Sequence, residues 1–122
     1  MNDAVFAFNR ALELLNVSKL LYNNEHYADS INRSYYAVFY AAKALLLKKG
    51  IAIKTHSGLI HQFGITYIVN DNFNKNTGKI LSRLEEDRIH ADYDMSIPIT
   101  KEKAEEDLYN AKLFIKECEK FL

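Results

Sequence analysis

The chain has 122 residues, sixteen basic and sixteen acidic side chains that cancel, and one cysteine, Cys118. Zero formal charge excludes the broad basic footprint of a protein that grips long stretches of duplex. One thiol excludes an internal disulfide and suits a reducing, cytoplasmic setting.

The length fits a single domain, residues 1–122, that buries a core without metal or disulfide support. Its apolar runs, the one near Ala44 to Leu47 among them, fall far short of a membrane span, and Met1-Asn2-Asp3 has no signal-peptide character. Helical periodicity runs through almost the whole chain. The first helix starts after Asn2, a good N-cap, and places Val5, Phe8, Leu12 and Leu15 on one face up to about Tyr22. Asn23-Asn24-Glu25 then turns the chain. The second helix runs from near Tyr27 to Lys49, with Gly50 as its stop.

Thr55 caps a third helix whose Leu59, Ile60, Phe63 and Tyr67 face inward, while Gly58 and Gly64 either weaken it or mark close helix contact. A polar loop, Asn70 to Gly78, is anchored by Phe73 and ends in Thr77, which can cap a fourth helix from about Lys79 to Tyr93. The break at Asp94 to Ile99 holds the single proline, Pro98. Thr100 then caps a last helix in which Ala104, Leu108, Ala111, Ile115, Cys118 and Leu122 recur at bundle-seam spacing. The expected fold is all-α, an antiparallel up-and-down bundle of four long helices and one shorter one.

Two arginines are out of place in this pattern. On the second helix Ile31, Tyr35, Val38, Ala42 and Leu45 form one apolar stripe, and the opposite side carries Arg33 among Tyr36, Ala37, Tyr40, Ala44 and Leu47. A helix apolar nearly all round is buried, so Arg33 is expected in water-excluding company. On the fourth helix Ile80, Leu84 and Ala91 define the inner side, with Arg88 in its middle and Asp92 one turn on. An inward guanidinium needs a carboxylate, and Asp92 is the partner read from the spacing. Asp92→Ala is expected to cost about 3 kcal/mol or more. If the second and fourth helices are neighbours, Arg33, Tyr36, Arg88, Asp92 and Tyr93 converge on one pocket that holds a nucleotide phosphate and stacks a base. The alternative reading of the arginine and its company is a purely structural salt bridge. No metal-ligand spacing emerges from His26, His56 and His61, and no cofactor is implied. His56, at a helix start, can touch a ligand phosphate or else serve as a cap or core residue.

The runs Asn32-Arg33-Ser34-Tyr35-Tyr36-Ala37, Thr55-His56-Ser57-Gly58-Leu59-Ile60 and Arg88-Ile89-His90-Ala91-Asp92-Tyr93-Asp94, with the helix from Thr100, resemble the HEPN domain superfamily. The likeness covers about Phe6 to Leu122, and within the superfamily it is strongest to small stand-alone bacterial and archaeal members. It implies a helical bundle that forms a homodimer and is paired with a minimal nucleotidyltransferase as toxin and antitoxin. Some members of the superfamily are metal-independent ribonucleases that use an Arg followed, after four to six residues, by His. From Arg88 that count lands on Tyr93, Asp94 and Met95, whereas Arg83 followed by His90 fits it. Two functions follow as expectations. One is a module that binds a nucleotide, RNA or the partner nucleotidyltransferase through Arg33, Tyr36, Arg88, Asp92 and Tyr93. The other is an endoribonuclease toxin using Arg83 and His90 as catalytic pair, or a variant set centred on Arg88 and Asp92.

Overall fold

Side-chain caps set where the helices start. In the computed structural model, which describes residues 2–94, 96 and 98–122, Asn2 Oδ1 accepts from the Ala4 and Val5 amides and opens α1, Asp3–Asn23. Helix α2 is Tyr27–Lys48, ended by Gly50 at φ +77, a left-handed position that favours glycine. Thr55 Oγ1 accepts from the Gly58 amide at 3.0 Å and opens α3, His56–Phe63, which continues as π-helix through Gly64–Val69. Thr100 Oγ1 accepts from Lys103 at 3.1 Å and opens α6, Lys101–Glu119. Met95 and Ile97, in the predicted break before it, lie outside the described residues.

Thr77 does not cap. Asn74, a better cap three residues earlier, accepts from the Thr77 amide at 2.9 Å and starts a one-turn helix α4, Lys75–Gly78, directly ahead of α5, Ile80–Tyr93.

Helix α2 is the centre of an all-helical bundle and packs against α1, α3, α5 and α6. Its predicted stripe, Ile31, Tyr35, Val38, Ala42 and Leu45, is buried, as are Ala37 and Ala44 behind it. Leu59, Phe63 and Tyr67 of the third helix are also buried, and Phe73 pins the polar loop among Phe63, Phe114 and Phe121 at ring separations of 5.0, 5.4 and 5.3 Å. These spacings suit tilted and edge-on aromatic contacts.

Helix α1 turns a different face inward from the one its large residues suggest. Ala4, Ala7, Ala11, Leu14 and Ser18 are buried, while Val5 and Leu12 are exposed and Phe8 and Leu15 lie at the margin. Small side chains let α1 lie close along α2, and close packing over a long contact outweighs the extra area of a Val or Leu stripe. The hairpin is tied by a buried hydroxyl cluster in which Ser18 Oγ donates to the Ser30 carbonyl at 2.8 Å and meets Ser34 Oγ at 2.7 Å. On α6 the seam residues Ala104 to Cys118 are buried and Leu122, beyond the helix, is exposed.

The two glycines of the third helix differ in kind. A Cβ on Gly58 would lie 2.5 Å from Thr55 Oγ1 and 3.0 Å from Ile53 Cγ2, whereas one on Gly64 meets nothing within 4 Å. Alanine at either site gains about 1 kcal/mol of helix propensity. At 58 it also displaces the capping hydroxyl, at about 1 kcal/mol, and crowds its neighbours at about 1–3 kcal/mol. Gly58→Ala should therefore destabilise by about 1–3 kcal/mol, and Gly64→Ala should stabilise by about 0.5–1 kcal/mol. Urea unfolding of the pair checks this, and midpoints that move in the same direction would refute the distinction.

Candidate functional site

Three helices meet at one mixed cluster. Helix α2 contributes Asn32, Tyr35 and Tyr36, the capped first turn of α3 contributes His56, and α5 contributes Glu85, Arg88 and Asp92. The Arg88 side chain is 11% exposed and lies over the rings of Tyr35 and Tyr36, with its guanidinium carbon 5.3 and 5.8 Å from their centroids. Its main partner is Glu85, whose Oε1 accepts from Nη2 in a short bond. Asp92 stands further off, its Oδ2 3.7 Å from Nη1, and that oxygen accepts from Asn32 Nδ2 at 3.0 Å. Burial opposes the charge on Arg88, but the Glu85 bond and the electron-rich phenols more than restore it, so the group is held firmly cationic.

The partner inferred from spacing is therefore the secondary one. Glu85 lies three residues before Arg88, and an acid ahead of a base is the favourable order on a helix. That signal was present in the sequence.

His56 joins the other side of Glu85. Its Nδ1 is 2.6 Å from Tyr35 Oη and 3.3 Å from Glu85 Oε2, and its ring packs on Phe39 at 4.7 Å. The other ring nitrogen, Nε2, makes no hydrogen bond among the described residues. Burial first, and then the Glu85 carboxylate, push the Tyr35 phenol far above its ordinary value, so Tyr35 is a permanent hydroxyl that can donate to the imidazole or the carboxylate. The outcome is an imidazole oriented through Nδ1 with Nε2 left for a ligand, next to a cation whose Nη1 has only the long contact to Asp92.

These groups line an open groove of about 390 Å³, formed by His56, Ser57, Ile60, Glu85, Arg88 and Ile89. A larger groove of about 660 Å³ lies elsewhere, between α1 and α6, where Tyr22 donates to an exposed Glu105. It has neither an oriented imidazole nor a half-buried cation, so the chemistry assigns the site to the smaller groove.

Of the residues expected to converge, Tyr36, Arg88 and Asp92 do so, and Arg33 and Tyr93 do not. Arg33 is exposed, not buried, and bonds to Asn32 Oδ1, because near the start of α2 no neighbouring helix covers that side among the described residues. Desolvating it there would bring no compensating partner. Tyr93 ends α5 with its side chain in solvent. Arg83 and His90 are both exposed on α5, and His90 Nδ1 faces Asp94 Oδ2 at 3.3 Å. Sequence reasoning left Tyr35 in the core and His56 between a phosphate contact and a cap or core residue, and did not single out Glu85. Among the described residues no group of three or more His, Cys, Asp or Glu is placed to hold a metal ion.

The pattern of the HEPN domain matches residues 4–121. The chain belongs to the HEPN domain family. This HEPN protein is 40% identical over 113 residues to a Methanocaldococcus jannaschii protein named "Putative toxin", covering 92% of this chain and 83% of that one. It is 35% identical to a Thermotoga maritima UPF0332 protein, covering 93% and 86% of the two chains. The crystal structure of TT1696 from Thermus thermophilus shares its fold with a TM-score of 0.86 over 100% of both chains at 22% identity.

The geometry reverses one energetic expectation for this HEPN domain. Glu85→Ala should destabilise by about 3 kcal/mol or more, because it strands Arg88 against two rings. Asp92→Ala should cost less than about 1 kcal/mol, as expected of a part-exposed secondary contact. Thermal and urea unfolding of both variants measure the order, and a larger loss at Asp92 would reassign the pair.

Proposed function

We propose that this chain is a toxin-like HEPN module that acts as a homodimer and engages RNA or a nucleotide phosphate in the groove between α3 and α5. What carries the reading is the free face of His56 Nε2 beside a guanidinium held on two tyrosine rings. Arg88 Nη1 is the N–H group left for a phosphate oxygen, and Asp92 is the partner it can release, since that contact is long and Asn32 holds the carboxylate when it leaves. Glu85 stays and fixes the position of both cation and imidazole. Tyr36, half-buried at the edge, offers a ring for a base. The name "Putative toxin" of the Methanocaldococcus relative supports the coarser part of this reading, and the family resemblance supports a nucleotidyltransferase as the protein partner.

A second reading, metal-independent RNA cleavage, is favoured by the same imidazole. An Nε2 free to take or give a proton beside a cation is the minimum for attack by a 2′-hydroxyl with stabilisation of the charged phosphorane. In this reading His56 with Arg88 takes the place of Arg83 with His90, which stand in solvent without a shared groove.

The test uses a fluorescein-labelled single-stranded RNA in a chelator-containing buffer, with binding read by anisotropy and cleavage by gel. Arg88→Gln and His56→Gln should each weaken binding about tenfold or more, near 1.4 kcal/mol, while Arg83→Ala and His90→Ala leave it within about twofold. Unchanged binding by folded Arg88→Gln would overturn the groove as the site. Product bands from wild type that vanish in His56→Gln would favour the second reading over binding alone.

A further inference from the structure

Helix α1 turns to solvent a face that lacks the charges of an ordinary wet surface. Asn2, Asn9, Asn16 and Asn23 recur every seven residues, two helical turns apart, so they form one row along its outer side, opposite the packed Ala4, Ala7 and Ala11. The positions three and four residues after each asparagine flank the row, and they hold Val5 and Phe6, Leu12 and Glu13, Lys19 and Leu20. All six are exposed, Phe6 and Leu20 by 68% and 61%. The charges on these flanks are Glu13, bonded to Arg10 at 2.8 Å, and Lys19.

An exposed helix face is normally made of Lys, Glu and Arg, which favour the helix more than asparagine does. Here Val5, Phe6, Leu12 and Leu20 lie in water, and the exposed Tyr109 of α6 continues the face across the groove it shares with Lys19 and Tyr22. Together they leave on the order of 500 Å² of apolar surface uncovered, near the upper end for a monomer. With the asparagine row added, the face approaches the roughly 800 Å² that each member of a stable pair buries.

The composition of the face selects its occupant. A carboxamide donates and accepts at once, so a row of them is matched by an identical row, whereas an apolar partner would leave each amide unbonded. A surface that meets its own copy across a two-fold axis repels itself if it carries net charge, and on these flanks Glu13 and Lys19 cancel. The groove beside the face also carries both signs, with Lys19 and Lys112 among Glu102, Glu105 and Glu106.

We propose that the outer face of α1 is the surface on which a second copy of this chain docks, with the two asparagine rows against each other. The inference rests on the homodimer of the reading above and names the surface that forms it. Helix α1 packs chiefly on α2 and α6 and lends no residue to the groove between α3 and α5. Pairing through it leaves His56 and Arg88 of both copies open to a ligand.

Sedimentation equilibrium of the full chain at micromolar concentration tests this, with circular dichroism to confirm that each variant is helical. The set is wild type, Leu12→Glu, an acidic double variant (Asn9→Asp with Asn16→Asp), a basic double variant (Asn9→Lys with Asn16→Lys), and an equimolar mixture of the two doubles. Wild type should be dimeric, and Leu12→Glu and each double alone should raise the dissociation constant about tenfold or more. The mixture should return to within about threefold of wild type, because opposite charges then face each other. A dimeric wild type whose dissociation constant is unmoved by these variants would place the interface elsewhere and overturn the inference, while the homodimer itself stood. A mixture no tighter than either double alone would overturn the opposed rows. A monomeric wild type would remove the homodimer of the earlier reading and this surface with it. Leu12→Glu decides the location even if the doubles do not fold.

Discussion

A guanidinium that water reaches only at its edge sets the terms for α2, α3 and α5 together. Arg88 tolerates its position because Glu85 neutralises it and because two tyrosine faces replace part of its hydration. Glu85 is then no longer free to point elsewhere, and its second oxygen comes to rest beside His56 and Tyr35. One ion pair within a single helix thereby fixes an imidazole on another helix and a phenol on a third. The groove gains its orientation from this arrangement at no further cost in backbone strain, since the only left-handed non-glycine residues are Glu25 and Asn72 among the described ones, both remote from it in sequence.

What was legible in the sequence follows from the range of each interaction. Caps are local, so Asn2, Thr55 and Thr100 announced themselves, and Thr77 was misread only because Asn74 stood close enough to compete. The anomaly of Arg88 was visible as a break in periodicity. Its partner was misassigned because carboxylates stand on both sides of it along the helix and spacing alone does not rank them, whereas the acid-before-base order does. The company of His56 was invisible, since Tyr35 and Glu85 lie 21 and 29 positions away and nothing local ties the three together. Arg33 failed for the opposite reason: its neighbours along the helix are apolar, but burial is decided by what lies across from it.

The first helix and the last show the same limit. Periodicity weighs large apolar residues most, so it selected Val5 and Leu12, while the packed surface of α1 is built from Ala4, Ala7 and Ala11. In α6 the seam of Ala104, Leu108 and Ala111 steps over Asp107, and a carboxyl beside an apolar register reads as solvated until a second helix is laid on top of it. Conservation of the fold at 22% identity to the Thermus protein fits this picture. Small-residue contact and capping can be satisfied by many sequences, whereas the groove depends on a handful of particular side chains.

The cluster of Ser18, Ser30 and Ser34 has a consequence for how the bundle can deform. Sliding α1 by one turn along α2 would set hydroxyls against methyl groups and strand each at about 1–3 kcal/mol, so these bonds act as a dowel between the two helices. The first hairpin is then a stiff rail, and any adjustment to an incoming ligand has to be made by the helices that lean against it.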